Sequence, residues 1–123
     1  MDITPIIPGD RMIIEGYGPG RFRISGQVHE TPVIVFLDEV RTWSAAKAGD
    51  IDAESLAQAA DKGVEVLLIG TGSKMHLLPP DVRRALREQG IGVEVMDTGA
   101  ACRTFNILMA ESRQVAAALL PIT

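Results

Sequence analysis

The sequence has few of the residues from which disulfides, metal centres and aromatic cores are built. Its single cysteine, Cys102, excludes an intramolecular disulfide and is typical of a reducing compartment. Its two histidines, His29 and His76, stand in separate segments and form no metal-ligand pattern. We expect the cysteine to be a small buried side chain and both histidines to lie on the surface. Aromatic residues make up only 4% of the chain, so the core must be built from aliphatic side chains.

Long apolar runs and an excess of positive charge are also missing. The longest apolar stretches, such as residues 115–121, are too short to cross a bilayer, and residues 1–5 contain no basic segment leading into an apolar one. We therefore expect a cytoplasmic protein with no transmembrane segment. Such a protein could still dock onto a membrane complex. The net charge of −4 argues against nucleic acid as a partner, because phosphate backbones require a basic face.

The rest of the composition is typical of one globular α/β domain over residues 1–123. The hydrophobic share is 46% and the charged share 23%, as in ordinary globular proteins. The first third predicts antiparallel strands at residues 12–14 and 21–25, separated by a glycine-rich turn or loop at 16–20. The continuous β-branched run at 33–37 predicts a strand buried on both faces.

The remaining two thirds predict helices that alternate with strands. Cap residues and stop signals bound three helices, at residues 52–63, 79–90 and 98–112. Apolar runs predict three strands, at residues 64–69, 93–96 and 115–120. Alternation of this kind is typical of a parallel sheet with helical crossovers.

Two of these strands end in glycine-bearing polar turns, Gly70-Thr71-Gly72 and Asp97-Thr98-Gly99. Because a strand–helix–strand unit is right-handed and its strands are parallel, both turns should emerge at one edge of the sheet. Ligands of open α/β sheets bind at that carboxyl edge. The sequence therefore predicts a candidate site where the two turns meet.

The first turn has a functional and a structural interpretation. Glycine amides with a nearby hydroxyl and the ammonium of Lys74 are suited to bind phosphate. Met75 stands where a dinucleotide fingerprint requires a third glycine, however, and no helix starts there. A tight turn that requires positive φ is therefore favoured over nucleotide binding.

The second turn also has two interpretations. Either Asp97 or Thr98 is expected to cap the third helix. The functional alternative is that amides at this helix start bind a small anion or the carboxylate of a partner. Arg103 and Asn106, one turn apart on the same helix, are expected either to reach over the rim or to make surface and packing contacts. Trp43, alone in a polar loop, indicates a role in packing or in partner contact.

Three segments together resemble one small protein family. Residues 16–22, 69–72 and above all 96–106 resemble an α/β family of unknown function, whose eukaryotic members include a mitochondrial complex I assembly factor and an adipogenesis-associated cytosolic protein. The resemblance implies a single α/β domain with a mixed central sheet, helices on one side and an extra N-terminal β layer. It implies no established enzyme activity. The positions that it implies as a functional edge are Trp43, Gly70, Thr71, Gly72, Asp97, Arg103 and Asn106.

Three hypotheses follow for this edge. The preferred one is a non-enzymatic protein that binds a protein partner and assists assembly, through the carboxyl edge and the rim around Trp43 and Arg103. The second is a binding protein or enzyme for a small anion, held at the two turns by Lys74, Arg103 or Asp97. The third treats the glycine turns as architecture only. The first is preferred because the sequence shows no base–nucleophile pair, metal-ligand set or complete nucleotide fingerprint. We accordingly expect no cofactor and leave the oligomeric state open.

Overall fold

The computed structural model describes residues 10–123, so residues 1–5, which entered the localisation argument, lie outside the described range. Within it the strands form two sheets. β1 (Ile14–Gly18), β2 (Arg21–Ile24) and β3 (Gln27–His29) form an antiparallel sheet in that order. The second sheet contains β4 (Val33–Val35), β5 (Val40–Thr42), β6 (Val66–Gly70), β7 (Gly92–Met96) and β8 (Val115–Leu119), in the order β5-β4-β8-β6-β7.

The five-stranded sheet is mixed. β6 pairs in parallel with β7 and β8, whereas β4 pairs antiparallel with β8 and β5. β8 is buried along its whole length, which confirms the apolar strand predicted at 115–120. This mixed sheet, with the additional N-terminal sheet, is the α/β architecture that the family resemblance implied.

Four α-helices and one 3-10 helix connect the strands of this described range. They are the 3-10 helix Ala48–Asp50, α1 (Ala53–Leu56), α2 (Gln58–Asp61), α3 (Pro80–Glu88) and α4 (Thr98–Ala110). The carboxylate of Asp52 caps α1 by accepting from the amide of Ser55 at 2.8 Å, as predicted. The single helix predicted at 52–63 is nevertheless two separate turns, because the amides of Ala57 and Ala60 bond three residues back and tighten the chain. Between residues 10 and 123, no helix is both long and apolar enough to span a bilayer.

Helices cover both faces of the mixed sheet, which corrects the expectation of helices on one side. The side chains of α1, α2 and α3 pack on one face, around Leu67 and Ile69. α4 packs on the other face together with the N-terminal sheet, around Leu68 and Ala117. The strand order explains this division. The chain crosses from β6 outward to β7 and then returns past β6 to β8, so two right-handed crossovers place α3 and α4 on opposite faces.

The glycine-rich segment at 16–20 corrects a second expectation. The strand does not stop there, since β1 continues through Gly18 and both Gly16 and Gly18 pair with residues of β2. Only Pro19 and Gly20 connect the two strands, and Gly20 takes a left-handed φ of +71°. Backbone pairing requires no side chain, so the strand accommodates two glycines.

Two other strands differ from their predicted bounds. Of the strand predicted at 12–14 only Ile14 belongs to β1, and the strand predicted at 33–37 ends at Val35. The amide of Phe36 donates to the carbonyl of Glu39 at 2.8 Å. The chain therefore turns into β5 two residues before the apolar run ends.

Ion pairs tie the β4–β5 hairpin to the end of α2. The Arg41 guanidinium bonds both carboxylate oxygens of Glu39, at 2.6 and 3.1 Å. The Lys62 ammonium lies 2.8 Å from a carboxylate oxygen of Glu39 and 2.8 Å from one of Asp38. Both cations also lie over the ring of Phe36, at 5.1 and 5.4 Å from its centroid. Hydrogen bonds from Arg41 and then Lys62 lower the pKa of Glu39 to about 2.

Glu39→Gln is expected to lower stability at neutral pH and to have little effect in acid. The pKa of Glu39 is lower in the folded protein than its ordinary value of 4.5. Its contribution is therefore complete above that value and is lost as the pH falls towards 2. The difference in urea midpoint between wild type and Glu39→Gln should shrink over this range. Glu88→Gln, at an exposed position of α3, is the control, and a difference for Glu39→Gln that is constant with pH would contradict the prediction.

Candidate functional site

The two glycine-bearing turns are in direct contact. β6 and β7 are parallel neighbours, with Gly70 opposite Met96. Just beyond them, the amide of Thr71 donates to the carbonyl of Met96 at 3.0 Å, and the amide of Thr98 donates to the carbonyl of Gly72 at 2.9 Å. The turns therefore lie at one edge of the sheet, as the strand–helix–strand order predicted.

The hydroxyl of Thr98 occupies the crevice between the turns. This side chain is completely buried. Its Oγ1 accepts a hydrogen bond from the amide of Gly72 at 2.8 Å and donates one to the carbonyl of Leu120 at 2.6 Å. In open α/β sheets, ligands bind in a crevice of this kind, where neighbouring connections leave towards opposite faces. Here a side chain of the protein fills that space.

Gly70 is required by the closeness of this packing. A Cβ at position 70 would lie 2.9 Å from the Cα of Thr98 and 3.0 Å from Cδ2 of Leu119. The backbone of α4 cannot move aside as a flexible side chain would. Gly72 has a different requirement, a left-handed φ of +100°, which agrees with the tight turn predicted for this segment.

Thr71 organises the loop that follows β6. It is 4% exposed. Its Oγ1 donates to the carbonyl of Lys74 at 2.7 Å and accepts from the amide of His76 at 2.9 Å. The loop is therefore held by a buried hydroxyl, while the side chains of Lys74 and His76 are exposed. These two residues border a groove of about 310 Å³ together with Lys47.

Three of the amides that an anion-binding site at the turns could use are paired within the protein. Asp97 is the cap of α4, and its carboxylate accepts from the amide of Ala100 at 2.9 Å. The amide of Gly72 donates to Thr98, and the amide of Thr98 donates back to Gly72. This arrangement does not favour a small anion between the turns.

Tyr17 lies against the start of α4, a contact that the sequence analysis missed. Its hydroxyl accepts from Nη1 of Arg103 at 3.3 Å and occupies the space where a side chain at position 99 would lie. Tyr17, Ser73 and Asp97 border a cavity of about 200 Å³. The only sequence signal for this contact was the position of the tyrosine between two glycines. Tyr17 remains 40% exposed.

Three other residues singled out from the sequence make structural contacts. The Asn106 carboxamide pairs with both backbone groups of Ile14, donating to its carbonyl at 2.7 Å and accepting from its amide at 2.9 Å. Trp43 is 2% exposed and donates from Nε1 to the hydroxyl of Ser55 at 2.9 Å. Cys102 is buried, and burial raises its pKa to about 12. It is therefore a protonated thiol, as its predicted role as a small apolar side chain requires.

The accessible residues around the turns form one continuous surface. We name it the edge surface, and it consists of Tyr17, Ser73, Lys74, Asp97 and Arg103. Ser73 borders both cavities described above, and Arg103 joins the surface through Tyr17. Gly70, Thr71 and Thr98 lie buried beneath it.

The fold is that of the Mth938-like domains. The solution structure of a Bordetella pertussis protein described as a Mth938-like domain superposes with a TM-score of 0.84 at 34% sequence identity, covering 98% of this chain and 92% of that one. The chain belongs to the family described as "protein of unknown function (DUF498/DUF598)", whose model matches residues 14–120.

Relatives of the chain include proteins named as assembly factors and an uncharacterized bacterial protein. NADH dehydrogenase (ubiquinone) 1 alpha subcomplex assembly factor 3 of Xenopus tropicalis is 38% identical over 112 residues, which are 89% of this chain and 61% of that protein. An uncharacterized protein of Rhodobacter capsulatus is 38% identical over 109 residues, 89% of this chain and 84% of that protein. The chain thus spans about three fifths of the length of the assembly factors that it matches.

Proposed function

We propose that this chain is a non-enzymatic protein that assists the assembly of NADH dehydrogenase by binding one of its protein components. The observation that carries the proposal is its similarity, along 89% of its length, to proteins named as assembly factors of that enzyme. The encounter is proposed to take place in the cytoplasm, before or during association with the membrane-bound complex.

The edge surface is the proposed contact site. It combines the cations Lys74 and Arg103 with the carboxylate of Asp97 and the half-exposed ring of Tyr17. Tyr and Arg are enriched among the residues that dominate protein–protein interfaces. The loop that presents Lys74 is held from beneath by Thr71, so little conformational entropy is lost on binding.

Deletion of the gene is expected to reduce the amount of assembled NADH dehydrogenase. Blue native electrophoresis with an in-gel NADH oxidation assay measures the assembled enzyme directly. Re-expression of the wild-type chain should restore it. An unchanged amount of assembled enzyme in the deletion strain would contradict the proposed function.

Lys74→Glu combined with Arg103→Glu is expected to abolish this restoration, because it reverses both cations of the edge surface. The matched control is Arg84→Glu combined with Arg87→Glu, which reverses two exposed arginines of α3 and changes the net charge equally. Equal protein levels and equal melting temperatures for both variants should be verified first. If both restored the enzyme to the same extent, the edge surface would not be the contact site.

A further inference from the structure

The five-stranded sheet ends in a strand whose outer edge has no partner strand in the described part of the chain. β7 is the last strand in the order β5-β4-β8-β6-β7, so among residues 10–123 only β6 pairs with it. It is five residues long, whereas β5 at the opposite end of the sheet has three. An open edge presents backbone N–H and C=O groups that can pair with another chain, and a longer edge presents more of them.

The pairing with β6 determines which residues of β7 direct their backbone groups outward. The amide of Gly92 donates to the carbonyl of Glu65 at 2.8 Å, and the carbonyl of Met96 accepts from the amide of Thr71 at 3.0 Å. Within a strand the N–H and C=O of one residue point to the same side, and successive residues alternate between the two sides. Residues 92, 94 and 96 therefore bond to β6, and the backbone groups of Val93 and Val95 point outward.

A side chain from the neighbouring helix occupies one of these outward groups. Nη1 of Arg83, in the first turn of α3, donates a hydrogen bond to the carbonyl of Val93 at 3.1 Å. Arg83 is half-buried, while Arg84 beside it is exposed. Because the Val93 carbonyl points away from β6, the guanidinium that bonds to it lies where the next strand of the sheet would lie.

The centre of β7 carries a second obstacle to strand pairing. Two copies of β7 can pair antiparallel about a two-fold axis. The register in which Val93 of each copy exchanges hydrogen bonds with Val95 of the other uses all the outward groups of these residues. In that register Glu94 lies directly opposite Glu94 of the second copy. Glu94 is exposed, and like charges directly opposite each other destabilise a strand pair.

We propose that the outer edge of β7 is a binding surface for a second copy of this chain, and that Arg83 and Glu94 prevent the two copies from pairing. The occupant is a second copy because the outward groups of Val93 and Val95 are complementary to themselves in the antiparallel register. Removal of the Arg83 guanidinium frees the Val93 carbonyl in both copies, since the two-fold axis relates them. The inference is independent of the proposed function.

Sedimentation equilibrium of the purified full chain tests the proposal. The variant that combines Arg83→Ala with Glu94→Thr should self-associate at least about tenfold more tightly than the wild type, because each copy then gains a cross-strand hydrogen bond and loses the opposed charge. Its average mass should rise towards that of two chains as the concentration increases. An association constant equal to that of the wild type would overturn the proposal.

Arg84→Ala combined with Glu94→Thr is the matched control. It removes the same two charges from the same helix and strand, but it leaves the Arg83 guanidinium on the Val93 carbonyl. It should associate at least about tenfold more weakly than Arg83→Ala with Glu94→Thr. Alanine is the most favourable residue in a helix, so both variants should remain folded, which melting curves verify. Equal association of the two variants would overturn the proposal, since the loss of charge alone would explain it.

Hydrogen exchange and a proline substitution identify the edge that pairs. In Arg83→Ala with Glu94→Thr, exchange at the outward amide of Val95 should slow at least about tenfold as the protein concentration rises, since pairing protects that amide. Adding Val95→Pro removes this N–H at an edge position, where proline is tolerated, and should abolish the association, whereas adding Val95→Ala should preserve it. A Val95 amide that exchanges equally fast at all concentrations, or association that persists with the proline, would overturn the proposal. These measurements do not involve NADH dehydrogenase, so the deletion experiment decides the proposed function separately.

Discussion

Thr98→Val is expected to lower the free energy of unfolding by about 2–5 kcal/mol. The substitution keeps the volume of the side chain but removes the hydroxyl that pairs with the Gly72 amide and the Leu120 carbonyl. An unpaired buried backbone group costs about 1–3 kcal/mol, and this variant creates two. Domains of this kind are stable by only ~5–15 kcal/mol. The urea midpoint should therefore fall strongly while the slope of the transition stays constant.

Thr98→Ser is the matched control for that experiment. Serine retains the hydroxyl and loses one methyl group, which is worth about 1 kcal/mol when buried. Its unfolding free energy should therefore lie much closer to wild type than that of Thr98→Val. If the two variants lost the same amount, the methyl group would contribute as much as the two hydrogen bonds, which would contradict the prediction.

Asn106→Leu is expected to lower the free energy of unfolding by about 2–4 kcal/mol. The substitution is nearly isosteric, but it leaves the amide and carbonyl of Ile14 without their side-chain partner. These two bonds join β1 to α4. Hydrogen exchange should therefore accelerate more in β1, β2 and β3 than in β6 and β8. A uniform acceleration in both sheets would show that Asn106 has no special role in docking the N-terminal sheet.

The variant Asn106→Asp tests the two hydrogen bonds to Ile14 separately, because one of them then requires a protonated carboxyl group. At neutral pH its carboxylate accepts from the Ile14 amide but has no proton to donate to the carbonyl. Protonation restores that donor, so the neutral acid is favoured in the folded state. Its stabilising contribution therefore appears as the pH falls through the raised pKa of the folded state and is complete below the unfolded value of about 4. The urea midpoint of Asn106→Asp should rise relative to that of Asn106→Leu between pH 7 and pH 3. No relative rise would contradict the geometry described for this pair.

Local signals predicted most of the elements of the second half of the chain. Asp52 was expected to cap the first of the predicted helices, and either Asp97 or Thr98 the last. Asp52 and Asp97 each accept a backbone hydrogen bond in that position. β8 was expected from its apolar run. These predictions succeeded because a cap or an apolar strand depends on residues that are close in sequence. The prediction of a turn or loop over the whole of residues 16–20 was wrong. Most of this segment forms a strand because it pairs with β2, and its own composition does not indicate that pairing.

Such local signals could not predict the direction in which a side chain points. Asn106 was considered for the rim of the candidate site, yet its carboxamide binds Ile14, 92 residues earlier. Trp43 was open to packing or to partner contact, and it is buried against Ser55. Tyr17 was not considered for the site, although it contacts Arg103, 86 residues away. Each of these contacts joins segments that no local pattern relates.

From residue 64 onward, the sequence by itself determined the order of strands and helices. It also predicted the helix caps and the emergence of both glycine turns at one sheet edge. Periodicity, caps and crossover handedness are properties of residues that are close in sequence, which is why these predictions were possible. Only the tertiary structure decided that the crevice at this edge is filled by a side chain of the protein. Thr98 meets Gly72 and Leu120 there, 26 and 22 residues away. Whether a polar group stays free for a ligand depends on such distant partners, which come together only when the sheet is complete.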